Sequence, residues 1–182
     1  MSDLTDLQLI EGYEESGEIR HFDDLVRRHI GTVRSMIYPM VMNDADADEI
    51  TQEVFLRVMK GFSNFKRKAK FSSWLYMITM NTTRNFLRSR KRNPVSHHEE
   101  IPDMPDKGVD PSAALMNKEF SSDVDAALAE LSPVLRSAIM LVGIQGMSTS
   151  EAAEIDGCLT ATMYWRVHQA RKLLSKRLRV EG

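Results

Sequence analysis

The chain has 182 residues, 27% of them charged and 42% hydrophobic, the balance of a soluble globular protein built as one ordinary domain or two small ones. Its single cysteine, Cys158, excludes an internal disulfide and a thiolate metal cluster. No apolar run approaches the roughly 20 residues that span a bilayer, and the acidic start Met1-Ser2-Asp3-Leu4-Thr5-Asp6 lacks the order of a signal peptide, so a cytoplasmic protein without membrane insertion is expected.

The net charge of −2 hides a strong pattern. It is −7 over residues 1–61, +9 over 62–92, −7 over 93–132 and +3 over 133–182. The second block holds no carboxylate at all. Such a stretch suits phosphate binding; the plainer reading is a solvated helix face.

Helical spacing dominates and no strand-like alternation of any length is present. Leu4, Leu7 and Ile10 suggest a first short helix. A second is predicted from about His21 to Tyr38, with Phe22, Leu25, Val26, Val33 and Ile37 on one side; Pro39 should kink or end it. A third starts in the acidic stretch 43–49, where carboxylates favour a helix N-terminus. Ile50, Val54 and Val58 form its apolar row, with Phe55 and Met59 beside it, and Gly61 ends it. Residues 62–70 read as a basic loop. A fourth helix follows from about Ser73 to Arg90, with Ser72 as its cap.

From Asn93 to about Pro111, four prolines alternate with acids and few apolar residues, which predicts a flexible linker. It separates a domain of 1–92 from one of 118–182, with 93–117 between them. Four helical pieces are expected in the second domain. One covers about Lys118 to Leu131. Ser132-Pro133 opens the next, with proline in the first turn. Ser148 with Glu151 three residues later is a capping box for the third. The fourth runs from about Ala161 into Arg179 behind Thr160.

The last two pieces form a helix-turn-helix pattern. Ala152 and Ala153 let two helices cross closely, and Gly157 suits a left-handed turn. Met163, Val167, Ala170 and Leu174 make one buried stripe, which leaves Thr162, Tyr164, Trp165, Arg166, Arg171 and Lys172 toward solvent. In this motif the start of the second helix enters the major groove. Arg166 would read a guanine edge or a phosphate, and Arg171 and Lys172 would hold phosphates. A helical hairpin that binds protein fits the same pattern.

In the basic block, Phe65, Trp74 and other aromatics alternate with Lys66, Arg67, Lys68 and Lys70, a mixture that suits unstacked single-stranded bases. Arg84 and Arg88 continue the charge along the following helix. The alternative for each aromatic is the core. Asp44, Asp46 and Asp48 do not begin a calcium loop, because its sixth and twelfth positions are Glu49 and Phe55 instead of glycine and glutamate. No phosphate-binding glycine loop, metal-binding His–Glu motif or flanked serine nucleophile is found. No enzyme, cofactor or metal is expected, and the 12 methionines fall at core spacings.

Two segments resemble the paired domains of the extracytoplasmic-function (ECF) sigma factors of the sigma-70 family. Residues 46–57, DADEITQEVFLR, are similar to the region 2 helix that binds polymerase. Residues 71–78, FSSWLYMI, with Asn81, resemble the promoter-melting helix. Leu131-Ser132-Pro133 and residues 144–171 resemble region 4. The resemblance implies an all-α protein with a region 2 bundle and a region 4 helix-turn-helix. It would direct RNA polymerase core to promoter DNA under an anti-sigma factor. Asp48, Glu49, Gln52, Glu53 and Phe55 would engage the β′ clamp helices, and region 4 the β flap. Phe65, Lys66, Arg67, Lys68, Lys70, Trp74, Asn81, Arg84 and Arg88 would contact the −10 element. Thr162, Tyr164, Trp165, Arg166, Arg171 and Lys172 would face the −35 element. This chain departs from the family at Tyr164 and Trp165, where lysine and serine are usual, and at Asn85 in place of aspartate. Two aromatics favour the other class of function, a protein-interaction module that does not itself initiate transcription. A free-standing helix-turn-helix repressor would have no use for the first domain.

Overall fold

The computed structural model describes residues 4–67, 69–92 and 123–179. Every regular element among them is helical. The N-terminal half contains α1 (Asp6–Ser16), α2 (Ile19–Val41), α3 (Asp44–Gly61), a 3₁₀ turn (Phe62–Asn64) and α4 (Phe71–Arg92). The C-terminal half contains α5 (123–129), α6 (Pro133–Ala138), a π-helical turn (Ile139–Ile144), α7 (Thr149–Asp156) and α8 (Thr160–Arg179). The expected linker 93–117, and the expected helix start at Lys118, lie outside the described residues.

Local chemistry sets most boundaries. Thr5 and Gln8 close a capping box on α1. The Asn43 side chain accepts the Asp46 N–H at 2.9 Å and starts α3. Ser148 and Glu151 form the expected box on α7, and Gly157 ends that helix at φ +67°.

Three expectations need correction. In α1 the buried residues are Leu9 and Ile10, while Leu4 and Leu7 are exposed. Helix α4 begins at Phe71, so Ser72 lies within it and caps nothing. Helix α2 runs through Pro39 to Val41. A proline there removes the N–H that would reach the Ser35 carbonyl, and the helix stops soon after, at Val41, where its last carbonyls find another donor. The Arg136 guanidinium donates to the carbonyls of Pro39 and Met40 at 3.1 and 3.2 Å. It also donates to those of Ala129 and Leu131 at 2.8 and 2.9 Å. Arg136 thus satisfies carbonyls at the ends of two helices, one from each half.

Two cores result. The first lies within the N-terminal half and unites Leu9, Leu25, Ile37, Ile50, Val54 and Leu75 with a buried aromatic edge. The second is shared: Met36, Met40 and Met80 of the first half pack with Ala138, Leu141, Ala152, Ile155, Met163 and Val167 of the second. Each large buried side chain contributes about 1.5–3 kcal/mol, more than a cap at about 1 kcal/mol, so burial decides the packing. Three methionines on the N-terminal side of this joint suit a contact between separately formed surfaces, because the flexible thioether fills irregular gaps.

Candidate nucleic-acid and protein interfaces

The acidic helix α3 and helix α4 enclose a groove of about 420 Å³ lined by Glu49, Gln52, Glu53, Leu56, Arg57, Asn85 and Phe86, among others. Helical geometry puts Glu49, Gln52, Glu53 and Leu56 on one face at spacings of three and four. Gln52 and Leu56 are exposed; Leu56 keeps 47% of its surface open. Phe55, expected on this surface, instead sits in the first core at 6% exposure. Its neighbour Leu56 is the large apolar side chain that this face leaves exposed. Asp48 does not line the groove; Arg34 donates to it at 2.7 Å and also pairs with Asp44.

The second surface follows the 3₁₀ turn. Phe62, Phe65, Phe71 and Trp74 form an aromatic cluster, with ring centroids of Phe65 and Trp74 5.1 Å apart. Phe65 is buried, so it supports the site instead of offering its face. Trp74 is half-buried, and a Cβ on Gly61 would lie 3.3 Å from its indole, which helps to fix the ring. Phe65, Lys66, Ala69, Trp74 and Met77 line a cavity of about 320 Å³, whose far wall is Glu154 and Ile155 of α7. Lys66 and Lys70 are exposed. Arg67 is held by Glu11 and Glu14 at 3.0 and 2.6 Å. Lys68 lies outside the described residues. On α4, Asn81 and Arg88 face solvent, whereas Arg84 turns toward α7.

The third surface is the start of α8. Met163, Val167 and Ala170 are buried as the stripe predicts. Tyr164 and Trp165 are 70% and 58% exposed, and Arg171 and Lys172 are exposed too. Thr162 is half-buried. Arg166 departs from expectation: its side chain is only 19% exposed, because it pairs with Asp156.

Asp156 had no assigned role in the sequence pattern. Its side chain is 3% exposed and pairs with both Arg84 and Arg166. It also accepts from Ser137 Oγ at 2.6 Å. Burial, followed by repulsion from Arg166, holds the Arg84 guanidinium below its usual range. A carboxylate at the last residue of a helix opposes the helix dipole, so an isolated helix would not favour it there. Only the packed tertiary structure supplies its partners.

Comparison with known proteins bears on these surfaces. Residues 25–93 match the sequence model of Sigma-70 region 2, and residues 121–174 that of Sigma-70, region 4. The chain is 32% identical over 154 residues to the ECF RNA polymerase sigma factor SigE of Mycolicibacterium smegmatis. That alignment covers 84% of this chain and 60% of the relative, so the chain spans less than two thirds of that protein. It is 28% identical to the RNA polymerase sigma-H factor of Pseudomonas aeruginosa, over 95% of this chain and 93% of the relative. Among solved structures, the sigma factor RpoE of Bartonella quintana, crystallised with the anti-sigma factor NepR, superposes with a TM-score of 0.69. It is 24% identical and the match covers 88% of this chain and 98% of that one, a likeness of fold.

Proposed function

The chain belongs to the sigma-70 family, among its ECF sigma factors, and on that premise we propose that it is a specificity subunit that directs RNA polymerase core to promoters in the cytoplasm. Residues 1–92 serve as region 2 and 118–182 as region 4. The observation that carries this reading is the pairing of the groove on acidic α3 with the neighbouring segment 62–92, which holds nine cations and no carboxylate of its own. Glu49, Gln52, Glu53 and Leu56 offer one side of α3 to a protein. Lys66, Lys70, Trp74, Asn81 and Arg88 offer cations, an aromatic ring and an amide to a single strand. The start of α8 lies on the major groove of the upstream element, with Tyr164 and Trp165 against base edges and Arg171 and Lys172 on phosphates.

An anti-sigma factor is the proposed regulator, as for the Bartonella quintana neighbour, which was captured with one. Polymerase core is engaged through the β′ clamp helices at the α3 groove and through the β flap at region 4.

Gln52→Ala combined with Leu56→Ala tests the groove. Both side chains are exposed, so the fold is expected to survive, as judged by the helical circular dichroism signal. Affinity for polymerase core should fall at least tenfold, which corresponds to about 1.4 kcal/mol. Unchanged affinity in the folded double variant rules out this groove as the core-binding surface.

A further inference from the structure

The C-terminal half covers the DNA-facing part of the N-terminal half, and the cover is acidic. Helix α7 holds Glu151, Glu154 and Asp156 and no basic residue. It packs on α4, within the block that holds nine cations and no acid. Two contacts run between α7 and this block. Asp156 pairs with Arg84. Glu154 and Ile155 wall the cavity of Lys66 and Trp74. The same Asp156 holds Arg166, at the start of the proposed reading helix.

We propose that α7 is an autoinhibitory element whose carboxylates stand in for DNA phosphates, and that Asp156 is the latch that occupies one arginine from each of the two DNA-facing surfaces. The inference rests on the sigma-factor reading of those surfaces. One carboxylate serves two guanidinium groups, so the buried cluster keeps an excess positive charge. Phosphate would relieve that excess, and DNA thereby gains a route to open the joint. The Met36, Met40 and Met80 contact closes the halves without demanding a unique fit. Arg84, Ser137 and Asp156 add directional bonds to the joint beside those of Arg136 to Pro39 and Met40.

Arg84→Met separates the latch from a purely local role of Asp156 in the helix-turn-helix. It removes the one pairing of Asp156 with the first half, while the Arg136 bonds to Pro39 and Met40 and the Arg166–Asp156 pair stay in place. Asp156→Asn removes both. The full chain carries Cys158→Ser, with donor and acceptor dyes on Glu15→Cys and Lys176→Cys, two exposed positions in opposite halves. Both latch variants should lower energy transfer relative to the parent while their helical signal is retained. Arg84→Met should also bind a short mixed-sequence duplex more tightly, on the order of fivefold, although it has lost a cation. Affinity rises as the competent fraction rises. Unchanged transfer in Arg84→Met would overturn the latch, including the case where Asp156→Asn alone opens the protein. Opening without tighter duplex binding would overturn the inhibitory role. If Asp156→Asn fails to fold, Arg84→Met decides alone. The distance readout needs no promoter or polymerase. Parent protein that fails to bind core would instead count against the sigma-factor reading.

Discussion

Asp6 shows how a single side chain ties distant elements. It accepts from Arg28 Nη1 at 2.7 Å and lies 3.0 Å from His29 Nε2, so α1 is fastened to α2. The His29 ring in turn stands edge-on to Phe71, the first residue of α4, at 5.3 Å. The hydrogen bond with His29, and after it the Arg28 guanidinium, hold the Asp6 carboxyl below its ordinary value of 3.8 against the opposing effect of burial. A folded-state value below the unfolded one means that the stabilisation is present above pH 3.8 and is lost as pH falls through the lowered value. Asp6→Asn should therefore be less stable than the parent at neutral pH, and the difference should shrink below pH 4. Denaturant melts across the acid range would show this. A constant difference at every pH would mean that the carboxylate charge plays no part.

Residue identity alone misplaced several side chains. Phe55 fell in an interface motif but is held in the core, since position 55 stands beside the apolar row of Ile50, Val54 and Val58. Arg166 and Arg84 looked like free cations because their shared partner, Asp156, lies 10 and 72 residues away in sequence. No local pattern carries such a contact. Tyr164 and Trp165, by contrast, were legible: the spacing of Met163, Val167 and Ala170 leaves them no inward direction.

At the scale of elements, caps and glycines were readable because their chemistry is local. Asn43, the Ser148–Glu151 box and Gly157 all act within a few residues. At Gly157 a Cβ would meet open space, so the strain of a side chain there is conformational and not steric. Gly157→Ala should lower stability by about 1 kcal/mol, and Gly157→Asn should cost less, since asparagine tolerates the left-handed region. Thermal melts of the two variants give the order. Equal losses would point to a lost contact instead of backbone strain. Pro39 was expected to kink or end α2; the helix passes it and stops at Val41, and the donor to its last carbonyls, the guanidinium of Arg136, lies 97 residues away, beyond any local pattern. The π turn at Ile139–Ile144 also gave no signal, because its apolar run reads equally as an α-helix.

Across the whole molecule, the charge blocks carried most of what could be known early. Four alternating blocks set the acidic first segment apart from a cationic one over 62–92 and a weakly basic last one. They did not reveal that the halves share a core, since that joint depends on Met36, Met40 and Met80 meeting α7 and α8 in three dimensions. The fold therefore unites the proposed polymerase and DNA surfaces in one closed body, from which α7 has to be displaced before both DNA surfaces are free.

The most direct test of the sigma-factor reading is run-off transcription with purified polymerase core and fragmented genomic DNA, with and without this protein. The account predicts transcripts with defined start sites only when the protein is present, and their upstream sequences would show what Tyr164 and Trp165 meet. Identical transcription in its presence and absence, with a latch-opened Asp156→Asn protein that binds core, would contradict it.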